Sequence, residues 1–467
     1  MKYDILLKNG MVIDYRTDIA RELDIAVKDG KIANMEPEIS ASDARDVFEL
    51  DGMTVIPGII DPHVHVSAWL GGGIGHTMMA RAGVTSAFDM SGPGESVLDL
   101  VLSHGAGLNI ATIEYVRPGH TVSSIEPDEQ EIDMLLKKVM RQGSIGVKML
   151  GGHYPLTPEA TQRCIKMAAK HGAYIAFHAG TTNKGSNIDG FLEAVKIADG
   201  LPLHLAHINA YCRGVIKPYV EETEIAVQTL IDNPNIISES YLSPLNGTSA
   251  EIVDGVPGSD VTKRCLITGG FSPDEKGLEE AIMAGWAQIN YPYIGETLLI
   301  TGKEGVAYWR ERKTNVTVSF AVNPVEPRVR LACAKRGDGS FVVDGICTDG
   351  GGIPRNVTIK LGLSLIDIGA LSWKDFVRKA SYTPSRMLGL VNKGSLEEGK
   401  DADITVINTK RREADMTFVE GRLCLYKGAV FGKGGKIITT GEGEAYVKSK
   451  GLDTIVVKPE DRACVRG

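Results

Sequence analysis

Two histidines, His63 and His65, stand one residue apart in PGIIDPHVHVS, directly after an apolar run. Alternate side chains of a strand share a face, so both imidazoles point one way and Val64 the other. Two imidazoles on one face can hold one metal ion. The competing reading is a half-exposed strand with two ordinary histidines, and the spacing alone does not choose between them. More ionisable residues stand near the ends of other apolar runs: Lys148 in SIGVKML, His178 in AYIAFHA, His207 in PLHLAHI and Asp349 in VVDGICTDG. Gathered in one place they form a mixed nitrogen and oxygen site that suits zinc, with cobalt, manganese or iron possible.

The elements around these residues say whether they meet. From about Pro57 to Leu390 short apolar runs alternate with helical stretches: IIDPHVHVS, TSAFDM, NIATIEYV, SIGVKML, AYIAFHA, PLHLAHI, IISESYL and VVDGICTDG. Segments between them, such as EIDMLLKKVMRQ and EATQRCIKMAAKHG, carry apolar residues at helical spacing. Eight strands alternating with helices imply a (β/α)8 barrel, α/β in class, whose chemistry sits at the C-terminal ends of its strands. That rule brings six candidate ligands from five strands to one mouth. Residues 243–341 are too long for a barrel crossover and read as an inserted lid or substrate-shaping region.

The two ends of the chain have a different texture. KNG and KDG turns between alternating apolar residues predict hairpins in residues 1–56. ADITVINTK, FVEGRLCLYKGAVF and GGKIITT repeat that texture in residues 391–467. Two β-rich pieces thus flank a barrel at 57–390.

Composition excludes several functions. The 467 residues are 43% apolar and 24% charged, with a formal net charge of −8 and no dense basic block, which argues against nucleic-acid binding; the KRR at 410–412 reads as a solvated turn. Seven scattered cysteines, Cys164, Cys212, Cys265, Cys333, Cys347, Cys424 and Cys464, form no CxxC pair and suggest neither a disulfide framework nor a thiolate zinc site. The first residues show no charged leader before an apolar core, and no run approaches the roughly 18 apolar residues of a membrane span. The expectation is a cytoplasmic protein that binds no membrane.

Taken together, GMTVIPGIIDPHVHV, the GVKML lysine, the two later histidines, TDGGG, ASYTPSRMLGL and GSLEEGKDADITVI resemble the amidohydrolase superfamily, in particular members with two metals bridged by a carboxylated lysine. The resemblance covers nearly the whole chain. It implies a barrel with a small β-sandwich built from both chain ends. It also implies that His63, His65 and Asp349 hold the buried metal, that His178 and His207 hold the outer one, and that carboxylated Lys148 bridges them. A lysine ammonium cannot ligate a metal, whereas a neutral amine takes up carbon dioxide to give a carbamate with two oxygen donors. Two divalent ions bring about +4, and carbamate, Asp349 and hydroxide each supply −1, which leaves a net positive site suited to an oxyanion. By the same resemblance a bridging water is the nucleophile, and Asp349 takes its proton and then delivers it to the leaving nitrogen.

Other residues are weighed against this frame. Tyr154, just beyond Lys148, is placed to donate to the oxyanion, as a tyrosine after the lysine does in hydantoinases, and the neighbouring His153 could touch substrate. His204 reads as structural, and His76, His104, His120 and His171 have no strand-end position. Dihydroorotases place an arginine two residues after the second histidine, where this chain has Ser67. Lys148 disfavours the deaminating branches. The substrate is then an open N-acyl amino acid, as in D-aminoacylases and N-acyl-D-glutamate deacylases, or a cyclic diamide, as in hydantoinases; the former is preferred. A substrate carboxylate calls for a cation, and Arg213 and Lys184 are the best placed, with Arg330 a further possibility. Some superfamily members are non-catalytic scaffolds, a reading that calls for lost ligands, and here all six positions are filled. Resemblance to hydantoinases also implies a homo-oligomer, a dimer or tetramer.

Overall fold

The computed structural model describes residues 1–68 and 71–462. Eight parallel strands succeed one another around a barrel. β1 (Ile59–His65), β2 (Val84–Asp89) and the first part of β3 (Asn109–Thr112) pair in order. The second part of β3 (Glu114–Val116), β4 (Gly146–Leu150), β5 (Tyr174–His178), β6 (Leu203–Leu205), β7 (Ile236–Tyr241) and the first part of β8 (Gly345–Cys347) continue the series. The second part of β8 (Gly350–Gly351) pairs with β1, Gly350 opposite Val64, and closes the circuit. These strands are buried on nearly all of both faces because helices cover the outside and side chains fill the inside. The outer helices start on local caps: Asp128 accepts from Glu131 N ahead of Glu129–Arg141, and Thr157 accepts from Ala160 N ahead of Pro158–His171.

Both chain ends build a nine-stranded sheet, joined where Thr54–Pro57 runs antiparallel to Ile404–Asn408 with Val55 opposite Val406. The KDG turn is a hairpin turn, with Asp29 and Gly30 both at positive φ and Lys28 opposite Lys31. KNG is not a turn. The strand Tyr3–Ile13 passes through Asn9 as a bulge, because Asp24 accepts from both Lys8 Nζ and Asn9 N. A side chain on Gly10 would collide with Val55 and Leu50, so this position stays glycine. GGKIITT also differs from its sequence assignment to the terminal sheet. Lys436–Thr439 pairs in parallel with the first part of β3, Ile437 opposite Ile110, and with Asp453–Val456. Ile437 and Ile438 are wholly buried, so this strand extends the barrel sheet where β3 splays away from β4.

The expected insertion at 243–341 is narrower and fully structured. Four strands, Asn246–Ser249, Thr317–Phe320, Ala287–Tyr293 and Glu296–Ile300, form a sheet in that order. Helices Asp260–Thr268, Glu275–Met283 and Gly302–Glu311 cover it around a core that includes Trp309. Helix Val325–Cys333 packs on Tyr219–Asp232 and β7 and so belongs to the barrel. Six described cysteines are free; Cys464 lies outside the described residues. Among the described residues no helix is long and apolar enough to cross a membrane.

Candidate metal centre

His63 and His65 leave β1 with their rings 5.2 Å apart, and each offers a ring nitrogen to Asp349. His65 Nε2 lies 2.8 Å from Asp349 Oδ1 and His63 Nε2 lies 3.5 Å from it. One ligand atom from each of the three residues falls within 4.8 Å of the others. Lys148, at the middle of β4 and 2% exposed, brings its Nζ to 3.0 Å from His63 Nε2. On the other side the His207 ring is 5.2 Å from that of His63 and 4.6 Å from that of His178. The barrel mouth thus gathers all six expected ligands.

Two of them depart from strand geometry. β6 stops at Leu205, and His207 sits in the left-handed region at φ 36°, opening a short 3-10 turn, Ile208–Tyr211. Asp349 interrupts β8 in the same region, at φ 49°. Such conformations strain a residue with a side chain, and they persist where the surroundings fix them. Here the backbone N of His207 donates to Glu239 Oε2 at 2.6 Å and that of Asp349 to the carbonyl of His63 at 2.9 Å.

Protonation suits metal binding. Burial pushes the pKa of His63 and of His178 well below the usual imidazole value and that of His207 down to about 4, so the rings are neutral near pH 7, as ligands must be. Burial also lowers that of Lys148, which favours the free amine a carbamate requires. Burial acts to raise the pKa of Asp349, but Arg355 and the histidines outweigh it and hold the carboxyl well below its usual range. Nδ1 of His207 and Nδ1 of His65 are buried without a hydrogen-bond partner among the described residues. Orphan ring nitrogens beside a buried carboxylate and a lysine whose pKa burial lowers fit a cation.

Three residues that sequence reading did not single out hold this arrangement. Glu239, in β7 and wholly buried, lies 2.6 Å from His63 Nδ1 and accepts from Cys347 Sγ at 3.1 Å. It fixes the ring so that Nε2 faces Lys148 and Asp349. Asp61 links β1 to β8 by accepting from His63 N at 3.2 Å and Thr348 Oγ1 at 2.6 Å; burial raises its pKa to about 7. Arg355, 1% exposed, pairs with Asp349 Oδ2 at 2.8 Å and lies over the Tyr241 ring at 4.1 Å. Its Nε and Nη2 are buried with no hydrogen-bond partner among the described residues. A glutamate and an aspartate inside apolar barrel strands were the available signals for the first two. Nothing in IPR marked Arg355.

The remaining candidates divide. His153 is solvent-accessible in the loop after β4, 5.5 Å ring to ring from His178. Tyr154 follows it, with the Arg117 guanidinium stacked on its ring at 4.3 Å. Arg213 donates from Nε to Asn323 at 2.8 Å and from Nη2 to Tyr241 at 2.8 Å and Asn246 at 2.9 Å. Lys184 faces Asp189 at 3.6 Å, and Arg330 pairs with Glu224 and Glu326 on outer helices, away from the mouth. His204 accepts or donates at Tyr174 OH, 2.7 Å away, beneath Glu239, in keeping with a structural role.

The amidohydrolase family model matches residues 54–221 and 313–433, more than half of the chain, and leaves out most of the inserted unit. Allantoinase from Escherichia coli O1:K1 / APEC is 40% identical over 95 residues, 19% of this chain and 20% of that protein, so the chain matches about a fifth of that relative's length. Allantoinase from Bacillus velezensis is 26% identical over 459 residues, 92% of this chain and 91% of that protein. Among solved structures, N-acyl-D-glutamate deacylase from Bordetella bronchiseptica, complexed with zinc and a phosphonate inhibitor, superposes with a TM-score of 0.66 at 15% identity, covering 94% of this chain and 99% of that one. A D-hydantoinase gives 0.63 at 15%, covering 94% and 99%. At these identities the structural likeness is one of fold, a barrel with a β-sandwich domain. With the family model matched across both halves of the barrel that carries these ligands, this chain belongs to the amidohydrolase family.

Proposed function

We propose that the chain hydrolyses the amide bond of an N-acyl amino acid at a two-metal centre held by His63, His65, Lys148 as its carbamate, His178, His207 and Asp349. Zinc is the metal the donor set favours, with cobalt, manganese or iron as substitutes. Bound there, the ions supply a water acidified toward neutrality and an electrophile for the substrate carbonyl. The chain's own residues do the rest. Asp349, kept ionised by Arg355, accepts a proton at its carboxylate and returns it to the leaving nitrogen, which departs poorly unless protonated. Tyr154 donates its hydroxyl hydrogen to the developing oxyanion. His153 lines the opening.

One observation carries the choice of substrate. Among the described residues Arg213 is surrounded by neutral acceptors and has no carboxylate within ion-pair distance, and Arg355 keeps two buried N–H groups without partners. Both flank Tyr241, at the end of β7. A half-buried guanidinium with no acidic partner, beside a buried one with unused donors, matches an anionic ligand, and a carboxylate pairs with a guanidinium through two parallel bonds. Lys184, already facing Asp189, takes a peripheral part at the rim.

A second reading, a cyclic ureide or diamide, is favoured by the 26% identity to an allantoinase along 92% of the chain. A hydrolysis screen on metal-loaded protein separates the two. N-acetyl and N-formyl D- and L-amino acids are set beside hydantoin, dihydrouracil and allantoin. Turnover of the linear acids is the expected result, and turnover of rings alone would replace this reading with the second.

A further inference from the structure

Asn323 stands where the inserted unit returns to the barrel, and its side chain ties that return to the interior. Oδ1 accepts from Arg213 Nε at 2.8 Å and from Tyr241 OH at 3.2 Å. Nδ2 donates to the carbonyls of Leu245 at 2.7 Å and Ser243 at 3.4 Å, in the segment where the chain leaves the barrel. The backbone N closes the same knot on Pro244 O at 3.1 Å. Asn246, the first residue of the unit's sheet, holds Arg213 Nη2 at 2.9 Å. Both stems of the inserted unit therefore grip one guanidinium.

The far side of the unit reaches the other wall of the mouth. Thr297 Oγ1 donates to the carbonyl of Gly352 at 2.8 Å, in the loop that links Asp349 to Arg355, and Glu296 pairs with Arg81 at 2.6 Å. So one folded unit touches both guanidinium-bearing segments beside Tyr241.

We propose that Asn323 is a positioning residue through which the inserted unit sets selectivity for a carboxylate-bearing substrate. The choice of amide over carboxylate is the physical core of this assignment. An amide oxygen orients Arg213 without cancelling its charge, so the cation stays available to an incoming anion. A carboxylate at the same place would orient it equally well and neutralise it. The assignment rests on the N-acyl amino acid reading.

The test compares an N-acetyl amino acid with its carboxamide on the full-length, metal-loaded chain, in the wild type and in Asn323→Asp. The variant keeps the outline of the side chain, places a negative charge against Arg213 and gives up the two Nδ2 donations to the stem carbonyls of Leu245 and Ser243. Expected for the acid is a KM raised by about tenfold or more with kcat changed by less than about twofold, and for the carboxamide no change in either. Asn246→Asp, which leaves the carbonyl bonds of the stem intact, should move the same parameter in the same direction and serves if Asn323→Asp fails to fold. An unchanged KM for the acid in folded variants would overturn the proposal. So would equal losses on acid and carboxamide, the mark of a merely structural support. If the wild type turns over rings and neither linear substrate, the deacylase reading falls first and this assignment with it, an outcome visible before any variant is made.

Discussion

Oε1 of Glu239 lies 2.6 Å from Nδ1 of His63, and both side chains are wholly buried. This contact selects the His63 tautomer with hydrogen on Nδ1 and leaves the Nε2 lone pair facing Lys148 and Asp349. Burial acts to raise the pKa of Glu239, but His63 and His204 hold it well below the usual range, so the acceptor is a carboxylate. Glu239→Ala should weaken metal binding by about 10- to 100-fold, read by competition with a chelator, and Glu239→Gln should fall between it and the wild type. Equal metal affinity in all three proteins would remove Glu239 from the site.

Lys148 has no carboxylate partner within ion-pair distance among the described residues, and its amine is 3.0 Å from a histidine nitrogen. An ordinary ammonium is poorly placed there, and a carbamate is well placed. Lys148→Ala should lose hydrolysis and bound metal together, and added acetate or propionate should restore part of both by supplying the missing oxygens. Full metal content in Lys148→Ala would show that the lysine is not a bridge.

Tyr154 is stacked under Arg117, which limits the directions its hydroxyl can take. Tyr154→Phe keeps the stack and removes only the donor. Expected is a fall in kcat of about 10²-fold with a small change in KM, as for loss of one oxyanion donor. A rise in KM at constant kcat would instead make Tyr154 a substrate-binding residue.

Lys379, in the helical turn Arg378–Tyr382, is wholly buried and reaches the segment just before β8, donating to Val343 O at 2.8 Å with its Nζ 4.4 Å from the Phe341 ring centre. Burial pushes its pKa from 10.5 down to about 7. Between these values the unfolded chain holds the proton and the native chain does not, so this group makes stability rise with pH through that window and fall as pH drops toward 7. Lys379→Met abolishes the titration at the constant cost of one hydrogen bond. The unfolding temperature of the variant relative to wild type should be highest near pH 6 and decline toward pH 9. A difference independent of pH would contradict the assignment.

The meeting of the candidate residues was legible because a barrel brings its strands to one mouth, so the closeness of His63, His65, Lys148 and His178 could be read from period and position. His207 and Asp349 do reach the same mouth, but the strand-end reading accounts for their positions only in part. Neither lies on a regular strand, and each is turned inward by a left-handed backbone that no local pattern announces. Glu239 was passed over because it lies inside the run IISESYL and not at its end, and only the neighbouring strands show that its side chain is sealed between His63 and His207. Asn9-Gly10 carries a hairpin signal, yet the long-range acceptor Asp24 converts it into a bulge. GGKIITT has strand propensity without saying which sheet it joins. The grip on Arg213 depends on the inserted unit, whose stems are distant in sequence and adjacent in space, and Arg355 is placed by Asp349 and Tyr241, which come from different strands.

The central claim is that six side chains, on or just after five barrel strands, form one centre for two metal ions, and metal content per chain tests it most directly. Elemental analysis of protein loaded with zinc and freed of loose ions should give about two ions per chain in the wild type and a marked loss in His63→Ala and in Asp349→Ala. A wild type that retains no stoichiometric metal after loading, or variants that retain all of it, would contradict the account.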